Sequence, residues 1–396
     1  MNFYTYIGLT PTEFQEQYID AGYVSMQKHH EFPLAIFAYA RDTVKEQKWD
    51  HVTSRCRGIV INTETGEIVS RPFEKFHNYG SELGCMDTLG EMLNGHEPTI
   101  WEKMDGFMCT LYTWQGVDYI ASKGSFHSIH AKWATAWLRK KFSTSLGIPA
   151  GHTAVFEGLH RDLRIVVDYG LRQELVLLAI INNETGEEFS PGALFAFADS
   201  KGLSTPKPYN IGLDAAVRIT MATGVFEDGG DEGFVLTWYQ KGQPPFRLKL
   251  KYIEYLRLHR MVTGVSPKRI WEVLANNQSS ELDEYLKQST PWFSAFVNKW
   301  LKALTLEFKR IEKEVETRYA FSGVNPNDFL QPNNTVPVDF AGLRKAYALK
   351  FTTEENKPYS AGLFALLDGK DIKPVIWKMV KHMTAGANPM VDAHNT

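Results

Sequence analysis

The chain has 396 residues, 43% of them apolar and 22% charged, and a net charge of −3. At roughly 150 residues per domain the length is too great for one ordinary core, and the composition excludes extended disorder. The slightly acidic balance excludes attraction of nucleic acid by the whole-protein field, so any such binding needs a local basic groove.

The N-terminus, Met1 to Thr10, has no basic stretch leading into an apolar run, and no window of about 18 apolar residues occurs, so neither secretion nor membrane spanning is expected. Cys56, Cys85 and Cys109 are odd in number and widely spaced, which suggests neither a disulfide framework nor a zinc cluster and fits a reducing cytoplasm.

From about Gly58 to Lys251, short β-branched or aromatic runs alternate with turn residues, the pattern of antiparallel strands. Gly58 to Ile61 and Glu67 to Ser70 form a hairpin around Asn62-Thr63-Glu64-Thr65-Gly66. Further strands are expected at Thr110 to Tyr112, Tyr119 to Ser122, Thr153 to Gly158, Ile165 to Tyr169, Leu175 to Ile181, Gly233 to Tyr239 and Phe246 to Lys251. Helices are expected over Ile129 to Phe142 and Pro191 to Asp199, the second capped by Ser190 ahead of a first-turn proline. The mixture predicts an α+β domain.

Past about Tyr255 the period changes from two to 3.6. Phe293, Val297, Trp300, Leu301, Leu304, Phe308, Ile311 and Val315 step by threes and fours, as on a long amphipathic helix. Ser266-Pro267 opens an earlier helix, Leu343 to Phe351 and Val375 to Met383 suggest two more, and Asn325 to Pro337 reads as a loop. The last third is therefore expected to be all-helical. No internal repeat is evident.

Chemistry concentrates around Trp101-Glu102-Lys103-Met104-Asp105-Gly106. A lysine one residue before Asp-Gly arises by chance in roughly 5% of chains this long, so its context must decide, since Asp-Gly is also a hairpin signal. A nucleophilic lysine must be neutral, which requires a pKa lowered by burial or by nearby cations. Lys249 and Lys251 are the candidate cations: in Phe246-Arg247-Leu248-Lys249-Leu250-Lys251 the lysines share one face of a strand and the leucines the other. Two ammonium groups side by side suit an anion such as a nucleotide phosphate, although a charged edge strand has the same pattern. Glu157, at the end of an apolar run, could accept hydrogen bonds from ribose hydroxyls. Glu232, just before a strand, could hold Mg²⁺.

These segments resemble the covalent nucleotidyltransferase superfamily of DNA ligases, RNA ligases and capping enzymes, and most closely the tRNA-repair RNA ligase 1 family of the T-even phages. The distinguishing residues are Cys56-Arg57-Gly58-Ile59-Val60, Ser70-Arg71-Pro72-Phe73-Glu74-Lys75-Phe76-His77-Asn78 and Ser122-Lys123-Gly124-Ser125; the similarity spans about Ile36 to His259. The resemblance implies a nucleotidyltransferase domain with ATP-grasp-like antiparallel sheets over residues 1–255 and an all-helical RNA- or tRNA-binding domain over 256–396. It implies that Lys103 forms lysyl-AMP, that Arg57 and Lys75 contact nucleotide phosphates and that Tyr39 contacts the nucleotide. Glu157 would bind the ribose, Glu232 a metal or the nucleotide, and Lys249 and Lys251 the α-phosphate; Lys123 and Tyr255 would serve sealing, and Glu281 would be a metal-binding acid of the helical domain. The Phe156-Glu157-Gly158-Leu159 context departs from the family's glutamate-phenylalanine-valine pattern.

The implied reaction is ATP-dependent joining of 5′-phosphate and 3′-hydroxyl RNA ends, with Mg²⁺ or Mn²⁺, on cleaved tRNA or single-stranded RNA, by a monomer in the cytoplasm. The sequence has no glycine loop ending in Lys-Ser or Lys-Thr, so a separate polynucleotide kinase and phosphatase would heal the ends. Rival readings are a DNA ligase or capping enzyme, whose OB-fold would add strands after Lys251, and a non-catalytic RNA-binding protein of the same fold.

Overall fold

The computed structural model describes residues 1–81, 96–163, 166–222, 232–240, 242–278, 280, 282, 283, 286, 291–324 and 340–381. The chain divides into two compact units, Met1–His259 and Arg260–Thr396.

The first unit is built on three sheets. β1 (Val24–Lys28), β2 (Leu34–Tyr39), β3 (Arg57–Asn62) and β4 (Ile68–Ser70) form an antiparallel sheet in chain order. The other strands are β5 (His77–Asn78), β6 (Thr99–Lys103), β7 (Phe107–Trp114), β8 (Val117–Ser122), β9 (His152–Leu159), β10 (Glu174–Asn182), β11 (Pro208–Tyr209), β12 (Gly233–Trp238) and β13 (Phe246–Lys251). They make a second antiparallel sheet of order β10-β9-β7-β8 and a third of order β11-β6-β12-β13-β5, in which only β13 and β5 run parallel.

Local chemistry explains much of this. The β3–β4 turn closes because the Asn62 side chain accepts the Glu64 and Thr65 N–H groups, at 2.9 and 3.3 Å, while Gly66 takes a left-handed φ of 73°. The Asn182 turn after β10 repeats this, with Gly186 at 77°. Ile61-Asn62-x-Glu64-Thr65-Gly66-Glu67 and Ile181-Asn182-x-Glu184-Thr185-Gly186-Glu187 are thus one turn used twice, a short internal repeat that the sequence reading passed over.

The helix Ile129–Phe142 has the expected bounds, its first turn satisfied by Ser128 accepting the Ala131 N–H. Ser190 caps Pro191–Lys201 in the same way. A helix over Leu213–Met221 was not foreseen.

The strand expected at Ile165 to Tyr169 is absent from its described part, Val166 to Tyr169. The Val166 and Val167 N–H groups donate to the Asp105 carboxylate, at 2.8 and 2.7 Å, instead of to a neighbouring strand, so the apolar run is a buried loop.

In the second unit the described elements are helices: Pro267–Ala275, Pro291–Phe321, Phe340–Phe351, Ser360–Leu367 and Lys373–Val380. Val297, Leu304, Phe308, Ile311 and Val315 of the long helix bury against Ile270, Val273, Phe351, Leu363 and Ile376. Ser266 caps Pro267–Ala275. The expected Asn325 to Pro337 loop lies outside the described residues, as does Met383 at the end of the last expected helix. No described helix is long and apolar enough to cross a membrane. Cys56 and Cys109 are buried and free; Cys85 lies outside the described residues.

Candidate active site

Lys103 is the last residue of β6, where the chain leaves the third sheet and enters the second through Met104, Asp105 and Gly106. A cleft of about 490 Å³ opens beside it, lined from both sheets. The strand register sets out one wall in rows. Lys103, Gly233 and Lys251 lie side by side, then Trp101, Val235 and Lys249, then Thr99, Thr237 and Arg247. The intervening residues Ile100, Phe234, Leu236, Leu248 and Leu250 point the other way into a buried core.

Gly233, at φ 143°, is obligatory in the first row. A β-carbon there would collide with the Leu250 carbonyl oxygen, and its absence lets Glu232 turn between the two lysines. The Glu232 carboxylate lies 2.6 Å from the Lys103 Nζ and 2.7 Å from the Lys251 Nζ, with 6% of its own side chain exposed. Glu157 approaches from β9, where its Oε1 accepts the Gly106 N–H at 3.0 Å. This close approach also depends on glycine, since a β-carbon at Gly106 would strike the Gly158 carbonyl oxygen.

Asp105 is buried and committed to structure. One oxygen takes the Val166 and Val167 N–H groups, and the other accepts the Tyr255 hydroxyl at 2.8 Å. Its own N–H donates to the Tyr169 hydroxyl at 2.8 Å. Burial, followed by repulsion from Glu232, raises the Asp105 pKa despite these bonds.

The electrostatics correct one expectation. Burial by itself lowers the Lys103 pKa, but Glu232, Glu157 and Asp105 outweigh it, so the ammonium is held above its ordinary value rather than below it. The amine whose pKa falls far is Lys249: burial acts first, and Arg57, Lys103, Lys75 and Lys251 repel it. Glu157 rises from 4.5 to about 7 through burial, which Lys103 only partly offsets.

Most of the cations here lie over aromatic rings. Lys123 is 3.7 Å from the Tyr39 centroid, Lys249 is 4.7 Å and Arg57 5.4 Å from Phe76, Lys75 is 4.9 Å from Trp49, and Lys251 is 5.0 Å from Tyr255. Such contacts contribute about 0.5–2 kcal/mol each and partly offset the crowding of like charge. Phe76 and Trp49 are the supports that sequence reasoning missed. For Phe76 the adjacent Lys75 was a local signal; Trp49, far from Lys75 in the chain, had none.

Arg57, Lys103, Lys123, Glu157, Glu232, Lys249, Lys251 and Tyr255 all line the cleft. Arg57 reaches it because Gly58, at φ 100°, lets β3 pass close to the Lys123 backbone. Tyr39 and Lys75 do not line it. Tyr39 stands beneath Lys123, which with Arg57 and Lys75 draws the Tyr39 pKa down although burial opposes this. Lys75 opens into an adjoining cleft and donates to the Phe76 carbonyl at 3.1 Å. Glu281 lies outside the described residues.

Among the described residues no group of three His, Cys, Asp or Glu side chains could cage a metal. Mg²⁺ does not need a cage, because it keeps waters and substrate phosphates beside one or two carboxylates. Glu232 and Glu157, both on the cleft wall, fit that need.

A family model described as RNA ligase matches residues 55–255, the stretch that builds this cleft. The chain belongs to this RNA ligase family. It is 24% identical over 327 residues to a protein of Autographa californica nuclear polyhedrosis virus described as a bifunctional polynucleotide kinase/RNA ligase, covering 74% of this chain and 45% of that one. It is 26% identical to an RNA ligase of Thermovibrio ammonificans, covering 57% and 59%, and 26% identical to the RNA ligase of Rhodothermus phage RM378, covering 80% and 82%. The chain thus spans about half the length of the first two relatives.

Proposed function

We propose that this chain is an ATP-dependent RNA ligase that joins 5′-phosphate and 3′-hydroxyl ends through AMP carried on Lys103. The observation that carries this reading is Lys103 between Glu232 and Glu157 on a wall shared with Lys249 and Lys251, within the stretch matched by the RNA ligase family.

In the first step the Lys103 Nζ attacks the α-phosphorus of ATP. A phosphorus–nitrogen bond forms, the bond to the bridging oxygen breaks, and pyrophosphate leaves. Lys249, Lys251 and Arg57 neutralise the developing charge, since phosphoryl transfer depends mainly on positioning and electrostatics. A lysine paired with Glu232 is protonated and cannot attack, so the Lys103 ammonium must part from Glu232 and lose a proton to solvent before its Nζ attacks. Glu232, with Glu157, would hold a divalent cation, whose charge would compete with the Lys103 ammonium for the carboxylate. Glu157 accepts a hydrogen bond from a ribose hydroxyl. An oxygen of the RNA 5′-phosphate then attacks the AMP phosphorus and the phosphorus–nitrogen bond breaks, freeing Lys103; the 3′-hydroxyl next attacks the RNA 5′-phosphorus, giving its proton to solvent as the phosphodiester forms and AMP leaves, with Lys123 steadying the phosphates.

The Arg260–Thr396 unit is proposed to hold the RNA, of which cleaved tRNA is the favoured form. The test is incubation with α-labelled ATP and Mg²⁺ followed by denaturing electrophoresis. Label should stay on the wild type and be absent from Lys103→Ala; an unlabelled wild type would favour a non-catalytic RNA-binding protein. Sealing of 5′-phosphorylated RNA but not DNA separates an RNA ligase from a DNA ligase.

A further inference from the structure

The third row of the cleft wall holds a group that the mechanism leaves unused. Thr237 lines the cleft, is 1% exposed, and its Oγ1 has no hydrogen-bond partner. A buried hydroxyl left unsatisfied is unfavourable unless something else completes it. By register Thr237 is on the same face as Gly233, four residues further along β12, or about 14 Å at a strand rise of about 3.4 Å per residue. That is the scale of a nucleotide laid along the wall with its phosphates at the lysine row.

The surroundings suit a planar base better than a second anion. Phe73, Leu178, Leu194 and Val235 give this end apolar walls, and the one cation of the row, Arg247, is neutralised by a two-pronged pair with Glu188 at 2.7 and 2.5 Å. An uncommitted hydroxyl at a largely apolar end is the sort of polar group that fixes a ligand's orientation.

We propose that Thr237 reads the base of the nucleotide, its Oγ1 accepting a hydrogen bond from the 6-amino group of adenine. This rests on the reading of the cleft as an ATP site. Thr237 then favours ATP over a purine triphosphate with hydrogen at position 6. It does not by itself reject a 6-oxo purine, to which a hydroxyl can donate.

The experiment uses the full chain, with the KM for formation of the Lys103 adduct measured for ATP and for purine riboside triphosphate. The wild type should show a KM roughly 3- to 10-fold higher for the analogue, the worth of one hydrogen bond. Thr237→Val, which keeps the β-branched shape and removes the hydroxyl, should raise the ATP KM by a similar factor and show no further difference between the two nucleotides. Thr237→Ser, which keeps the hydroxyl, should retain the preference. The inference is overturned if the wild type does not distinguish the nucleotides, if Thr237→Val distinguishes them as the wild type does, or if the serine variant loses the preference. A wild type that forms an adduct with neither nucleotide overturns the ATP-site reading itself, and the inference with it.

Discussion

Lys103 and Glu232, 129 positions apart in the chain, meet at 2.6 Å, and the same carboxylate reaches Lys251 at 2.7 Å. The cleft thus holds Lys103 as an ammonium in an ion pair. Removing one partner of such a pair leaves the other short of countercharge, so the consequences are directional.

Glu232→Gln removes the strongest influence holding the Lys103 proton, while burial continues to oppose it. In the absence of nucleotide, Lys103 should react with an amine-selective reagent at lower pH than in the wild type. Peptide mass mapping across a pH series reads this directly; an unchanged or upward-shifted midpoint would show that Glu232 does not govern the amine.

Glu157 titrates at about 7 in the fold against an ordinary value of 4.5. Because the folded value is raised, the fold favours the protonated acid, and the stability this brings is present at low pH and lost as pH rises from about 4.5 through about 7. Glu157→Gln should therefore gain over the wild type across that window, on the order of 1–2 kcal/mol above it once solvent screening of the partly exposed side chain is allowed for. Urea unfolding at the two ends of the window tests this. A constant difference would mean that folding leaves the Glu157 pKa unshifted.

Tyr255 donates to Asp105 at the base of the cleft, so its hydroxyl acts by positioning the Lys103 turn. Tyr255→Phe should destabilise the protein by about 1–3 kcal/mol, the worth of a hydrogen bond to a charged acceptor. The decisive comparison is between unfolding and sealing of pre-adenylylated RNA: full stability with sealing lost would place the hydroxyl on the reacting atoms instead.

Gly233→Ala introduces a β-carbon against the Leu250 carbonyl at a backbone angle that L-residues avoid. About 2–4 kcal/mol of stability should be lost as β12 and β13 part. AMP labelling should fall further than stability, because Lys251 leaves Glu232. Normal labelling in the alanine variant would separate strand spacing from the lysine pair.

The strands and helices were legible where the period was strong and local. Phe246–Lys251 and Ile129–Phe142 have the bounds read from sequence, because alternating leucines and a serine cap act within a few residues. Val166 to Tyr169 misled because Val166 and Val167 are buried as expected while their N–H groups are claimed by Asp105, 61 and 62 positions upstream in the chain, an interaction that periodicity does not register. The lysine motif, both glutamates and the β13 lysines were recognisable individually.

Sequence by itself determined which faces are apolar, where helices begin, and which cations and acids are available, since propensity, capping and alternation operate over one to four residues. Tertiary structure alone decided which of those charges meet. It made Lys249 rather than Lys103 the amine whose pKa falls furthest and left Tyr39 supporting Lys123 outside the cleft lining. The physical reason is that a pKa depends on through-space distance and burial, and the groups that set it here come from β3, β6, β9, β13 and the residue just before β12, brought together only when three sheets pack.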